Sequence, residues 1–72
     1  MSAPREVEVS GTVRLGQFLK LAGVVGSGGE ARELLAEGRV SVNGEVDERR
    51  GRQLSDGDVV ALDGREWRVL VG

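Results

Sequence analysis

The hydrophobic pattern of this sequence changes its period at Gly38. Between Thr12 and this glycine, apolar residues recur at the three- and four-residue spacing of amphipathic helices. After it, they alternate with polar residues or form short runs, as in strands. A chain of 72 residues has room for one thin core only. We therefore expect a single α+β domain spanning residues 1–72, in which two N-terminal helices pack on a small, mostly antiparallel sheet.

Both helices have recognisable ends. Thr12 is the expected N-cap of the first helix, and Gly23 is expected to end it. The second helix has a stronger start signal, because Ser27-Gly28-Gly29-Glu30 matches a capping box in which serine and glutamate side chains satisfy free backbone N–H groups. Gly38 suits the left-handed position that follows a helix.

Turn signals separate the expected strands. The pattern predicts strands around Val7 and Val9 and at residues 39–42, 59–62 and 67–71. Asn43-Gly44 is a strong signal for a two-residue hairpin turn, which would pair Ser41 with Val46. That register places Val46 off the apolar face of the preceding strand. We therefore expect a bulge or an early end of the pairing.

The composition argues against catalysis and metal binding. The chain has no cysteine and no histidine, its acids fall at exposed positions or turns, and its serines have no base to activate them. Asp56-Gly57-Asp58 matches a turn better than a calcium loop. The N-terminus shows no signal peptide or membrane-spanning run. We expect a cytoplasmic, non-enzymatic protein with no cofactor, small-molecule substrate or membrane partner.

Basic residues concentrate in the middle of the chain. The formal net charge is −2, yet residues 12–52 contain seven basic residues and six acids, so this span has a net charge of +1. Its basic residues are Arg14, Lys20, Arg32, Arg39, Arg49, Arg50 and Arg52. Two interpretations of the segment "DERRGR" (residues 47–52) remain open. It is either a solvated loop whose charges cancel or a surface whose arginines bind phosphates bidentately.

The start of the second helix also allows two interpretations. The backbone N–H groups of Gly28 and Gly29 are candidate phosphate ligands at the positive end of the helix dipole. Glu30 already places a carboxylate there, which favours capping alone.

From Arg14 to Val60, the order of these features resembles the RNA-binding domain named after small-subunit ribosomal protein S4. The shared features are an Arg-Leu helix start, a second helix that opens with Ser and contains Glu-Ala, a Gly-x-Val-x-Val-Asn-Gly hairpin and a Gly-Asp turn before a strand. The segments "LGQFLK", "SGGEA" and "RRGR" make it similar in particular to a short, stand-alone bacterial subgroup.

The resemblance implies an alpha-L motif that holds structured RNA, either ribosomal RNA or a ribosome-associated particle, along the helices and nearby loops. A monomer is expected. The implied contacts are Arg14, Lys20, Arg32, Arg39, Asn43, Arg49, Arg50 and Arg52. Two positions depart from the family pattern. Gly16 stands where many members have aspartate, and Gly28-Gly29 where many have basic residues. Together these departures imply either weaker binding or a larger share of the binding by the loop arginines, with Asp47 and Glu48 restraining the affinity of those arginines.

Two other functions are compatible with parts of the sequence. Two short helices joined by a glycine-containing turn are compatible with a helix-turn-helix DNA binder, although Gly28, Gly29 and Glu30 would form a poor reading surface. Alternatively, the strand Trp67–Val71 would serve as a sheet edge that binds a protein partner. Phe18 and Trp67 are the only aromatic residues, so a base-stacking platform for single-stranded RNA is not expected.

Overall fold

The computed structural model describes residues 3–72, and these residues form two helices and seven strands. In chain order the elements are β1 (Arg5–Val9), β2 (Val13–Arg14), α1 (Leu15–Leu21), α2 (Gly28–Ala36), β3 (Val40–Val42), β4 (Glu45–Val46), β5 (Gln53–Leu54), β6 (Val59–Leu62) and β7 (Arg65–Val71). The main sheet has the order β1-β7-β6-β3-β4. Its pairs are antiparallel except for the parallel pair of β1 and β7. The predicted α+β class and mostly antiparallel sheet are confirmed.

The start of α1 differs from the prediction. Thr12 is not its N-cap, because Val13 and Arg14 are extended and pair as β2 with β5. The helix therefore begins at Leu15 with Arg14 as its N-cap, and Gln17 Oε1 accepts a hydrogen bond from the Arg14 N–H at 3.1 Å. A pairing partner some 40 residues away in the sequence overrides the local signal at Thr12.

The start and end of α2 agree with the prediction. Ser27 Oγ accepts the N–H of Glu30 at 3.2 Å, and the Glu30 carboxylate accepts the N–H of Gly26 at 3.3 Å. Gly38 lies just beyond the C-cap with φ 72°, a conformation that glycine adopts without strain. The capping prediction is confirmed, with the glutamate reaching Gly26.

The Asn43-Gly44 turn joins β3 and β4 in the predicted register, with Ser41 opposite Val46. The pairing ends at Val46, which is exposed, as the off-face position predicts. The side chain of Asn43 binds a second turn. Its Nδ2 donates to Asp58 Oδ1 at 3.0 Å, and its Oδ1 accepts the N–H of Val59 at 2.9 Å. Asn43 therefore connects the hairpin to the turn before β6.

The last strand is not a sheet edge. β7 begins at Arg65, two residues before the predicted start, and lies between β1 and β6. Beyond its pairing with β6, Asp58 O accepts the N–H of Val69 and Asp56 Oδ1 accepts the N–H of Val71. The prediction of a protein-binding edge at Trp67–Val71 is wrong, because this backbone is already paired. The edges of the main sheet are β1 and β4.

The helices cover one face of the sheet. Phe18, Leu19 and Leu35 are buried in the same cluster as the inward-facing valines of β3, β6 and β7. Trp67 joins this cluster, and the guanidinium of Arg65 lies 5.3 Å from the centre of its ring. The side chains of Phe18 and Trp67 are thus both part of the buried core. Within residues 3–72, no helix is long and apolar enough to cross a membrane.

Replacing Asn43 tests its role in joining the two turns. Asn43→Ala removes both side-chain hydrogen bonds and leaves a non-glycine residue at φ 52°. We expect the free energy of unfolding to fall by about 2 to 4 kcal/mol in urea denaturation. Asn43→Gly removes the same bonds without the left-handed strain and should cost less. Equal stability of Asn43→Ala and the wild type would contradict this role.

Candidate functional site

Asp47 organises the arginine loop, which we define as residues 47–52. Its side chain is only 4% exposed and accepts hydrogen bonds from Arg49 N–H at 2.9 Å, Arg49 Nε at 3.1 Å and Arg49 Nη2 at 2.9 Å. Arg52 Nη1 donates to the same carboxylate at 2.8 Å. An aspartate carboxylate that accepts a hydrogen bond from the backbone N–H two residues later commonly forms a turn. One buried acid thus fixes the conformation of the loop.

These contacts hold the pKa of Asp47 far below its usual range. The side-chain hydrogen bond from Arg49 is the main cause and the bond from Arg52 adds to it, while burial acts in the opposite direction. The same pairing raises the pKa of Arg49. The Arg49 side chain is nevertheless 74% exposed, and its Nη1 group takes no part in the bonds to Asp47.

The arginine loop is docked on the start of α1. The carbonyl of Arg52 accepts the N–H of Leu15 at 2.8 Å, and the carbonyl of Arg50 accepts the N–H of Gly16 at 3.0 Å. The first N–H groups of a helix have no partner within the helix, so the loop satisfies two of them. Loop and helix start therefore form one connected surface.

Three cations line a concavity between this loop and the two helices. We call it the basic groove, and its lining residues are Arg14, Gly16, Gln17, Lys20, Gly28, Ala31, Arg50 and Gly51. The lining contains no carboxylate. Within residues 3–72, Arg14, Lys20 and Arg50 form no ion pair, unlike Arg39, Arg49, Arg52 and Arg68. The groove is thus a local concentration of uncompensated positive charge.

The second helix extends this surface. Gly28 lines the basic groove, whereas Gly29 does not. Arg32 is exposed and follows Gly28 by four residues, so it lies on the same face of α2, one turn further along. It forms no ion pair within residues 3–72. Arg32 therefore continues the line of cations along the helix.

Two other predicted site residues lie elsewhere. Arg39 pairs with Glu37 at 2.9 Å and with Asp63. The hydrogen bond to Asp63 is the main cause that raises the pKa of Arg39, and the bond to Glu37 adds to it. Arg39 lines a separate concavity with Glu30 and Glu33. Asn43 is engaged in the turn contacts described above. Neither residue lines the basic groove.

The predicted arginine cluster therefore divides into two parts. Arg50 contributes to the basic groove, whereas Arg49 and Arg52 are paired with Asp47 on the side of the loop that faces Val46 and Glu48. Sequence reasoning missed the organising role of Asp47 and the lining positions of Gly16, Gln17 and Gly51. An aspartate two residues before the N–H that it accepts is a common turn spacing, and this signal could have identified Asp47. No local signal indicated the glycines.

Comparison with known proteins identifies similar chains. The family model described as "S4 domain" matches residues 7–70. The chain is 58% identical over 52 residues to the "Probable ribosome maturation protein RlbA" of Bacillus subtilis (strain 168), a match that covers 72% of this chain and 73% of that protein.

Among solved structures, the fold resembles the 30S ribosomal protein S4e from Thermoplasma acidophilum, with a TM-score of 0.59 and 26% sequence identity. The similarity covers 79% of this chain but 30% of that one, so this chain corresponds to under a third of S4e.

The low pKa of Asp47 predicts pH-dependent stability. Because its pKa in the folded state lies below the unfolded value of about 4, its ionised form stabilises the fold at neutral pH, and this stabilisation is lost as the pH falls below about 4. Asp47→Asn should lower the free energy of unfolding by about 1 to 3 kcal/mol at pH 7.

Urea denaturation at several pH values checks this prediction. The stabilities of the wild type and Asp47→Asn should approach one another in acid. As a matched control, Glu48→Gln removes one charge from the exposed neighbouring residue and should change stability little. A difference between wild type and Asp47→Asn that stays constant from pH 7 down to pH values well below 4 would contradict the assignment.

Proposed function

This chain belongs to the S4 domain family, and on that premise we propose that it is a non-catalytic protein that binds structured RNA through the basic groove. The names of the two similar proteins described above refer to ribosome maturation and to the small ribosomal subunit. Ribosomal RNA, or a particle that contains it, is the corresponding target. In this proposal residues 1–72 act as one cytoplasmic, monomeric binding unit without a cofactor.

The convergence of Arg14, Lys20 and Arg50 without an acid among the lining residues is the observation that supports this function. Three like charges in one concavity repel each other, and a polyanion relieves that repulsion. The chain as a whole is acidic, so a general positive field does not explain the feature. The surrounding residues also favour phosphate. Gly28 and Gly51 carry no side chain that would keep an RNA backbone away.

The chemistry of the groove suits the backbone of folded RNA. A-form RNA presents its phosphates and 2′-hydroxyls at the surface while its base edges in the major groove are inaccessible to side chains. The guanidinium groups of Arg14 and Arg50 are suited to bidentate contacts with phosphate, and Lys20 adds a point charge. Arg32 would extend these contacts along α2. In this proposal the pair of helices and the arginine loop form the alpha-L motif that the family resemblance implies.

The fold supports structured RNA over an unfolded strand. Proteins that bind single strands without sequence preference stack the bases on exposed aromatic side chains. Phe18 and Trp67 are both buried in the core. Binding would thus rest on electrostatics and shape. In a helix-turn-helix mode, α2 would have to enter a DNA groove, yet its outward-facing residues include Glu30 and Glu33.

Removing the three groove cations together tests the proposal. We expect Arg14→Ala/Lys20→Ala/Arg50→Ala to bind an RNA hairpin with a long A-form stem about 100-fold more weakly than the wild type, from about 1 kcal/mol per contact. The slope of log affinity against log salt concentration should become shallower by about 2 to 3. Fluorescence anisotropy over a salt series measures both quantities.

Arg68→Ala supplies a matched control. Arg68 lies on β7 with its side chain on the sheet face away from the helices, so its loss removes a cation remote from the groove. Its affinity should match that of the wild type. Equal affinities of the wild type and the triple variant would overturn the proposal. Preference for duplex DNA of the same sequence over the RNA hairpin would instead support the helix-turn-helix alternative.

A further inference from the structure

Gly16 lies directly beneath the side chain of Arg50. A Cβ atom built at this position would be 2.5 Å from Arg50 Cγ, 3.3 Å from Cδ and 3.4 Å from the Arg50 carbonyl oxygen. The first distance is far below van der Waals contact between carbon atoms. Any residue other than glycine would therefore require the first carbons of the Arg50 side chain to move.

The backbone at Gly16 does not itself require glycine. Gly16 lies in the first turn of α1, in right-handed helical conformation, where alanine would be the more stable choice in a free helix. Gly38 and Gly44, by contrast, are needed for their positive φ. At position 16, glycine is required for a steric reason, because the Arg50 side chain occupies the space that a Cβ atom would need.

We infer that Gly16 is a positioning residue for RNA binding: its missing side chain lets the aliphatic part of Arg50 cross the start of α1 and brings the guanidinium into the basic groove. This inference rests on the proposed function. Gly16 N–H also donates to the Arg50 carbonyl, so the two residues are joined through both backbone and side chain. Gly16 stands where many family members have aspartate, and the positioning of Arg50 gives a structural reason for glycine there.

The arrangement holds Arg50 in place against repulsion. Arg14 and Lys20 line the same groove, and without a ligand their charges favour a rotamer that turns Arg50 towards solvent. Contact with α1 over Gly16 restricts the first torsions of the Arg50 side chain. The Arg50 side chain then loses its conformational entropy when the protein folds and not when RNA binds.

A double-mutant cycle tests the coupling with the same RNA hairpin. Gly16→Ala should weaken binding about as much as Arg50→Ala, by about fivefold, because each change removes one guanidinium contact. The double variant Gly16→Ala/Arg50→Ala should bind like Arg50→Ala alone, since the displaced side chain is already absent. If the two losses of affinity multiply in the double variant, the inference is overturned. It is also overturned if Gly16→Ala binds like the wild type while Arg50→Ala binds more weakly.

Thermal unfolding without RNA separates positioning from folding. Gly16→Ala should lower the Tm of the wild type, and the same change in the Arg50→Ala background should raise it or leave it unchanged. Gly29→Ala is the matched control for stability, because it adds a methyl group to a helical glycine with no neighbour nearer than 3.9 Å. If Gly16→Ala alone does not fold, a folded double variant supports the coupling, and an unfolded double variant overturns it.

The failure of the proposed function would look different. In that case Arg50→Ala and the triple groove variant would both bind RNA like the wild type, and the inference would be overturned with the function. A loss of affinity in Arg50→Ala that Gly16→Ala does not reproduce would remove the positioning role of Gly16 and leave the proposed function intact.

Discussion

The buried carboxylate of Asp47 is the interaction on which the candidate site depends. It accepts hydrogen bonds from Arg49 and Arg52 and so gives a glycine-containing loop a defined conformation. In that conformation the loop carbonyls reach the free N–H groups at the start of α1. Arg50, which lies between the two anchored arginines, is thereby directed to the helices. Asp47 thus supports the placement of Arg50, which forms no ion pair with an acid within residues 3–72.

The structure shows how an acidic chain presents a cationic groove. Several acids are engaged with specific arginines or turns: Asp47 with Arg49 and Arg52, and Glu37 and Asp63 with Arg39. None lines the basic groove. The field at a surface depends on where charges lie and not on their sum, so a net charge of −2 is compatible with anion binding at one place.

How far the sequence predicts this structure depends on the range of the interactions. The capping of α2 and the Asn43-Gly44 hairpin were predicted correctly, because both arise from residues close in the chain. The start of α1, which the pairing of β2 with β5 shifts away from Thr12, and the central place of β7 depend on distant partners, and there the predictions were wrong. At the site, Arg14, Lys20 and Arg50 were among the predicted residues. The sequence alone did not distinguish them from Arg39 or Arg49, because that distinction depends on which arginines meet an acid in the folded chain.

Chemical-shift mapping by NMR tests the central claim most directly, namely that structured RNA occupies the groove between the helices and the arginine loop. Titration of the labelled protein with an RNA hairpin should shift the backbone amide signals of Gly16, Lys20, Gly28 and Gly51, while those around Arg39 and Asp63 stay in place. Shifts concentrated at Arg39 and Asp63 or at the edge strand β1, with the groove unaffected, would contradict the account.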